Sequence, residues 1–276
     1  MSAAGFQAVW QENVDRRVLS AFVCIDALTG SSITRPMAVT AGTWNVQPNR
    51  SGIYVVFDGP GLDPQTNQFI PAGAWPAAAS FEVTLQDAQQ RYQPRRAEVQ
   101  APVSVPAIPA SPGGVVPNPA VVAALKDPTT IFDPQQVTLY PTAAATTGPS
   151  WAVIRASVTD VNSGQGLPYA VLQVTRQSDG IVIATGQSDG NGEALLAVIG
   201  LSVQANTSGT GPVTVSTVAV SVAAIFDPSV LTQPSGWIPN PDDILNDVSN
   251  PSFKTSSQPV QISSGQQLNL SFAIAS

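Results

Sequence analysis

A period of two in the apolar residues runs through most of the chain, the spacing of strands that keep one face on a core and one in water. It predicts strands over 18–26, 37–39, 53–57 and 81–85, the last being the clean alternation Phe81-Glu-Val83-Thr-Leu85. Further on it predicts strands over 137–140, 152–160, 170–175, 181–185 and 194–198, a long run from Val213 to Ser221, and a final strand from Leu268 to Ile274. Residues 1–17 read differently, with Phe6, Val9, Trp10 and Val14 at helical spacing. The pattern is that of an all-β protein.

One motif occurs twice. Asp26-Ala-Leu-Thr-Gly30 is followed by Ile33, and Asp160-Val-Asn-Ser-Gly164 by Leu167. Each time an apolar run leads into the Asp, the Gly closes a turn and a returning strand begins. A second Gly comes a meander later: Gly52 before Tyr54 and Val56, and Gly192 before Ala194, Leu196 and Val198. The repeat predicts two related β domains, residues 1–100 and 129–276. Between them, residues 101–128 carry Pro at close intervals. Each Pro fixes φ, biases its predecessor to extended geometry and withholds a backbone donor, so a semi-rigid spacer is expected, with a short helical turn at 120–126.

Two further stretches are too broken by Pro and Gly to be strands, 58–80 and 226–253. Both are more apolar than free loops require. Trp75 in the first, and Phe226, Trp237, Ile238, Ile244 and Leu245 in the second, are surplus to a small sandwich, and they are expected to anchor an interface with another protein chain. Leu62, Phe69 and Ile70 would tuck the first loop back onto its own domain.

Composition narrows the function classes. Hydrophobic residues make up 43% of the chain and charged residues only 11%, so the surface is polar but sparsely charged, which suits packing against protein. A net charge of −7, with Lys126 and Lys254 as the lysines, argues against nucleic acid, which needs a basic stripe to displace counterions. Arg91, Arg95 and Arg96 beside Tyr92 read as a solvated strand end, with a carboxylate-rich partner as the rival reading. No apolar segment is long enough to span a membrane, no leader pattern opens the chain and Cys24 is the single cysteine, all of which reads as cytoplasmic.

The chain has no histidine, so the usual general base at neutral pH is missing. Gly186-Gln-Ser188-Asp-Gly190 matches a nucleophile elbow formally, but it sits between strands. Asp58 with Asp63, or Asp242 with Asp243, are conceivable acid pairs, yet Asp before Gly or Pro is ordinary turn chemistry. Asp189-Gly-Asn-Gly-Glu193 invites a calcium reading but has Ala194 and Gly200 where an EF-hand needs Gly and Glu. No catalytic, cofactor-binding or metal-binding residue is assigned.

The series Ala156-Ser-Val158-Thr-Asp160, Ser163-Gly164, Leu167-Pro168, Ala170–Val174 and Gln187-Ser-Asp189-Gly-Asn-Gly192 resembles the carboxypeptidase-regulatory-like (transthyretin-like) β-sandwich. Residues 26–54 match more loosely, lacking the Asp of the later turn. The resemblance implies two Ig-like/transthyretin-like β-sandwich domains joined by the Pro-rich linker, and it implies nothing about activity. Val137-Thr-Leu139-Tyr140-Pro141, the run from Phe81 to Pro94, and Pro259-Val260-Gln-Ile262 before Gly265 are similar to accessory proteins of phage-tail-like contractile injection systems. That similarity implies a non-enzymatic adaptor at the cap or baseplate, bound to other subunits, copies of this chain among them, and released with the particle by lysis or a non-classical route. The rival is a carbohydrate- or surface-binding module of the same fold, with Trp44, Trp75 or Trp237 as the stacking platform.

Overall fold

The computed structural model describes residues 18–58, 79–101, 133–201, 203–204 and 214–276. Its described residues are mostly strand, as the period of two requires. The expected helix at 1–17, most of the 58–80 loop including Trp75, and 102–132 lie outside the described residues.

The first core is built from β1 (Ser20–Asp26), β2 (Ala38–Thr40), β3 (Asn45–Pro48), β4 (Ile53–Asp58), β5 (Ala79–Gln86), β6 (Arg95–Ala101) and β7 (Gln135–Leu139). One sheet runs β3-β4-β1-β7 and the other β2-β5-β6. Their facing sides bury Phe22, Cys24, Tyr54, Val56, Val83, Leu85, Val99, Val137 and Leu139.

The second core uses β8 (Ala152–Asp160), β9 (Val171–Arg176), β10 (Val182–Gln187), β11 (Glu193–Val198), β12 (Val203–Gln204), β13 (Thr214–Val215), β14 (Thr217–Phe226), β15 (Lys254–Ser263) and β16 (Gln267–Ile274). Its sheets are β11-β8-β16 and β10-β9-β14-β15, with β12 and β13 paired apart. Ile154, Val158, Leu172, Val174, Leu196, Val222, Phe226 and Phe272 fill the sandwich.

The two cores repeat one topology. β1 lies between antiparallel β4 and parallel β7, as β8 lies between antiparallel β11 and parallel β16. Likewise β2-β5-β6 corresponds to β9-β14-β15. The third strand alone changes sides, since β3 pairs with β4 whereas β10 pairs with β9. Backbone bonds repeat too: Ile33 N donates to Cys24 O and Leu167 N to Val158 O, each at 2.8 Å.

The apparent gap in the first copy's motif is closed by Asn49. Its Oδ1 accepts from the amides of Ser51 and Ile53, both at 2.9 Å, while Asp189 Oδ1 accepts from those of Asn191 and Glu193 at 2.8 and 2.9 Å. Asn and Asp offer the same acceptor to this turn, so the acid was dispensable.

This correspondence corrects the domain division. β7, expected to open the second domain, is the closing strand of the first core, as β16 is of the second. The proline-rich stretch thus joins β6 to β7, two strands of one sandwich, and is not a spacer between sandwiches. The change of core falls after Tyr140.

Gly192 shows why the motif needs glycine. Its φ is +83°, and a Cβ there would stand 2.3 Å from Val158 O and 2.9 Å from Leu167 N, where the two turns pack together. Gly164, at φ +70°, has open space around that position. Gly192→Ala is expected to destabilise by about 3 kcal/mol, left-handed strain plus a backbone clash, and Gly164→Ala by only about 1 kcal/mol. Urea denaturation of both variants checks this ordering.

Candidate functional site

Residues 227–253 leave β14, cover the outside of the second sandwich and reach the first. Asp227 caps the entry, its Oδ1 accepting from Ser229 N at 2.9 Å ahead of the 3-10 turn Pro228–Thr232. Next comes α1 (Asp242–Leu245), whose Ile244 is buried against Val171 and Ile225 on the outward face of the β9–β14 pair, with Leu245 and Phe253 packed around it.

The outer side of this segment is latched by the two arginines that open β6. Arg96 N donates to Pro239 O at 2.7 Å, its Nε to Ile238 O, and its Nη1 to Glu82 at 2.8 Å, with the guanidinium 4.9 Å from the Trp237 ring centre. Arg95, 1% exposed, donates from Nη1 to Thr138 O, from Nε to Arg96 O at 3.2 Å, and from Nη2 to the Asp242 carboxylate. The solvated-strand-end reading of Arg95 is therefore wrong. Period-two parity places Gln93 and Arg95 on the same side as Ala97, Val99 and Ala101, all of them buried.

The proposed interface anchors meet a similar correction. Phe226 is buried in the second core and Ile244 against its outer face, so neither is free to anchor another chain. Trp237 and Ile238 are half-buried at the junction, and Leu245 is half-buried beside Ile244. Trp44 stacks on Phe81, ring centres 4.3 Å apart, at the rim of the first core.

At the junction lies a cleft of about 690 Å³ walled mainly by turns, with Asp87, Gln90, Tyr92 and Gln93 from the first unit and Tyr169, Asp189, Glu193 and Trp237 from the second. No arginine or lysine lines it. Tyr169 and Trp237 meet edge to face, 6.3 Å between centres and 64° between planes. A recess of about 350 Å³ shares both rings and contains Gln187.

Two features mark the cleft and the recess beside it as costly to build. Gln93 in the cleft is 5% exposed and Gln187 in the recess 0%, yet Nε2 of Gln93 and both amide atoms of Gln187 have no hydrogen-bond partner among the described residues. Leaving such groups unpaired costs roughly 1–3 kcal/mol each. In addition, Gln90 at φ 53° and Tyr169 at φ 60°, the non-glycine residues of left-handed backbone among those described, both line the cleft. Strain of this kind clusters where geometry serves a site. Sequence reasoning passed over Gln93, Tyr169 and Gln187. Extending the parity of β6 backwards to Gln93 was the available signal.

The candidate catalytic groups are engaged elsewhere. Ser188 is buried, its Oγ donating to Leu167 O at 3.1 Å and accepting from Ala170 N at 2.8 Å. Burial pushes the Cys24 thiol up to about 12, with nearby Arg95 offsetting part of the rise, so it carries no thiolate at neutral pH. Asp242 is held by Arg95, and Asp243, its carboxyl raised first by desolvation, accepts from Asn240 Nδ2 at 2.8 Å. Asp63 and the side chain of Asp58 lie outside the described residues. Asp189 closes its turn, and no group of three or more acidic, Cys or His side chains placed to hold a metal ion occurs among the described residues. No helix among them is long and apolar enough to cross a membrane.

No family model matches the chain, and no curated protein matches it. Among solved structures it is similar to the Bacillus anthracis TIE protein, at 10% identity and a TM-score of 0.26 over 94% of this chain and 34% of that one. A leucine-rich repeat protein from Bacteroides thetaiotaomicron is similar at 8% identity and a TM-score of 0.22, over 93% of this chain and 26% of that one. The chain thus spans about a third or less of either structure.

Proposed function

We propose that the chain is a non-enzymatic structural adaptor of a multiprotein assembly, made of two transthyretin-like, Ig-like β-sandwiches held as one body. The observation that carries this reading is the junction. Arg95 and Arg96 bind the 227–253 segment by side-chain and backbone bonds, which fixes two sandwiches relative to each other, as a part that sets the spacing of its neighbours requires. The engaged Ser188 and buried Cys24 support the absence of catalysis. A cytoplasmic accessory role at the cap or baseplate of a phage-tail-like contractile injection system is the specific form of the proposal, and other subunits are its partners.

Ile181 and Val182, at the start of edge strand β10, are 54% and 44% exposed and are the surface from which such a contact is expected. Native mass measurement after gentle lysis is expected to find the chain in particles far above its own 28.5 kDa, and Ile181→Asp with Val182→Asp to release it while its melting temperature holds. A chain that is monomeric in native extract would overturn the adaptor reading. A second reading, a carbohydrate- or surface-binding module, is favoured by one observation: Tyr169 and Trp237 are half-buried in a cleft beside the unpartnered Nε2 of Gln93.

A further inference from the structure

We infer that the junction cleft is a binding site for a neutral, hydroxyl-rich ligand, a saccharide chain of a few units. This deepens the binding-module reading and is independent of the adaptor reading.

The ligand chemistry follows from the walls. Gln93 lines the cleft and its Nε2 has no acceptor among the described residues; the atom is closed to solvent, so a ligand oxygen satisfies it once the amide turns toward the cleft. Glu193 is exposed and its carboxylate accepts no hydrogen bond among the described residues, and Asp189 has Oδ2 left beside the Oδ1 that closes its turn, so the ligand also supplies donors. Hydroxyl groups do both. The Tyr169 and Trp237 rings, which both line the cleft, offer apolar surface to the C–H side of a sugar ring.

The same walls exclude other classes. Phosphate, sulfate and uronic acids need a cation, and none lines the cleft. A purely cationic ligand would suit the carboxylates but leave the Gln93 donor orphaned. An extended peptide is recognised through a free strand edge, whereas these walls are mostly turns, at 87–94, 142–144, 189–193 and 236–238. The cleft volume falls in the range of small-ligand sites, roughly 300–1,000 Å³.

Calorimetric titration of the full chain with maltotriose, cellotriose, mannotriose and chitotriose, and with a neutral Gly/Ser/Gln peptide, tests the inference. At least one saccharide is expected to bind saturably with Kd near or below ~1 mM, the affinity level of about 4 kcal/mol. Gln93→Leu and Glu193→Gln should each weaken it by about tenfold, the scale of one hydrogen bond to a buried or charged group. Gln93→Leu should meanwhile hold or raise the melting temperature, since it removes an unpaired buried amide, whereas a merely structural glutamine would lower it when lost. Saccharide binding unchanged in both variants would overturn the site. Binding of the peptide alone would overturn the saccharide and leave the binding-module reading standing. No binding of any probe would end both, leaving Gln93 as a water-satisfied core residue.

Discussion

A fragment ending at residue 128, just beyond the proline-rich stretch, is expected to be unfolded, while one ending at residue 146 folds into the first sandwich. The difference between them contains β7. Without it β1 loses its parallel partner along Phe22 to Asp26, and the core loses Val137 and Leu139. Two such side chains contribute about 1.5–3 kcal/mol each, before counting the unpaired backbone of β1. The Gln135 side chain also goes, and with it bonds to Ser20 Oγ at 2.8 Å and to Gln100 N and O at 3.0 and 2.9 Å. A total stability of about 5–15 kcal/mol does not survive that loss. Circular dichroism and amide NMR dispersion of the two fragments decide it. A cooperative melt from the shorter one would restore the proline-rich stretch as a spacer between domains. For the same reason, proteolytic nicking within 102–132 should leave two pieces that stay associated under native conditions.

Arg95→Ala is expected to cost about 3–5 kcal/mol, chiefly because two carbonyls lose a charged donor, a bond worth about 1.5–3 kcal/mol each. The cost has two parts. Thr138 O and Arg96 O lose a charged donor, and Asp242 loses its counter-ion where the second unit's segment meets the first. Asp242→Asn should cost only about 1 kcal/mol, because that carboxylate is 43% exposed and screened by water. Urea denaturation measures both, and small-angle scattering should show the cores loosening relative to each other in Arg95→Ala alone. Equal effects of the two substitutions would mean that the ion pair, and not the carbonyls, governs the junction. A change under 1 kcal/mol for Arg95→Ala would remove the latch altogether.

What the sequence determined by itself was the period of two, the turns and the repeat, because these are local. β8 was legible to the residue, since its apolar run opens at Ala152, alternates from Ile154 on and ends in a turn-forming Asp. The Asp160 turn is held by Ser163, whose Oγ and N donate to Oδ2 at 2.7 and 2.8 Å, three residues away. β15 was not legible. Its Lys-Thr-Ser-Ser-Gln-Pro series lies at a sheet edge with one fully buried side chain, Ile262, so no apolar alternation marks it.

Tertiary structure decided the rest, for reasons of distance along the chain. Which core β7 joins depends on parallel pairing with a strand more than a hundred residues earlier, which no local pattern encodes. Whether Phe226, Ile244 and Trp237 face a neighbour or their own chain depends on where the 227–253 segment lands, and Arg95 and Arg96 settle that from the other core. The cleft exists only once the two units meet. Gln93 and Tyr169 are ordinary residues in the sequence, and they acquire an orphaned donor and an aromatic edge by being brought together across that junction.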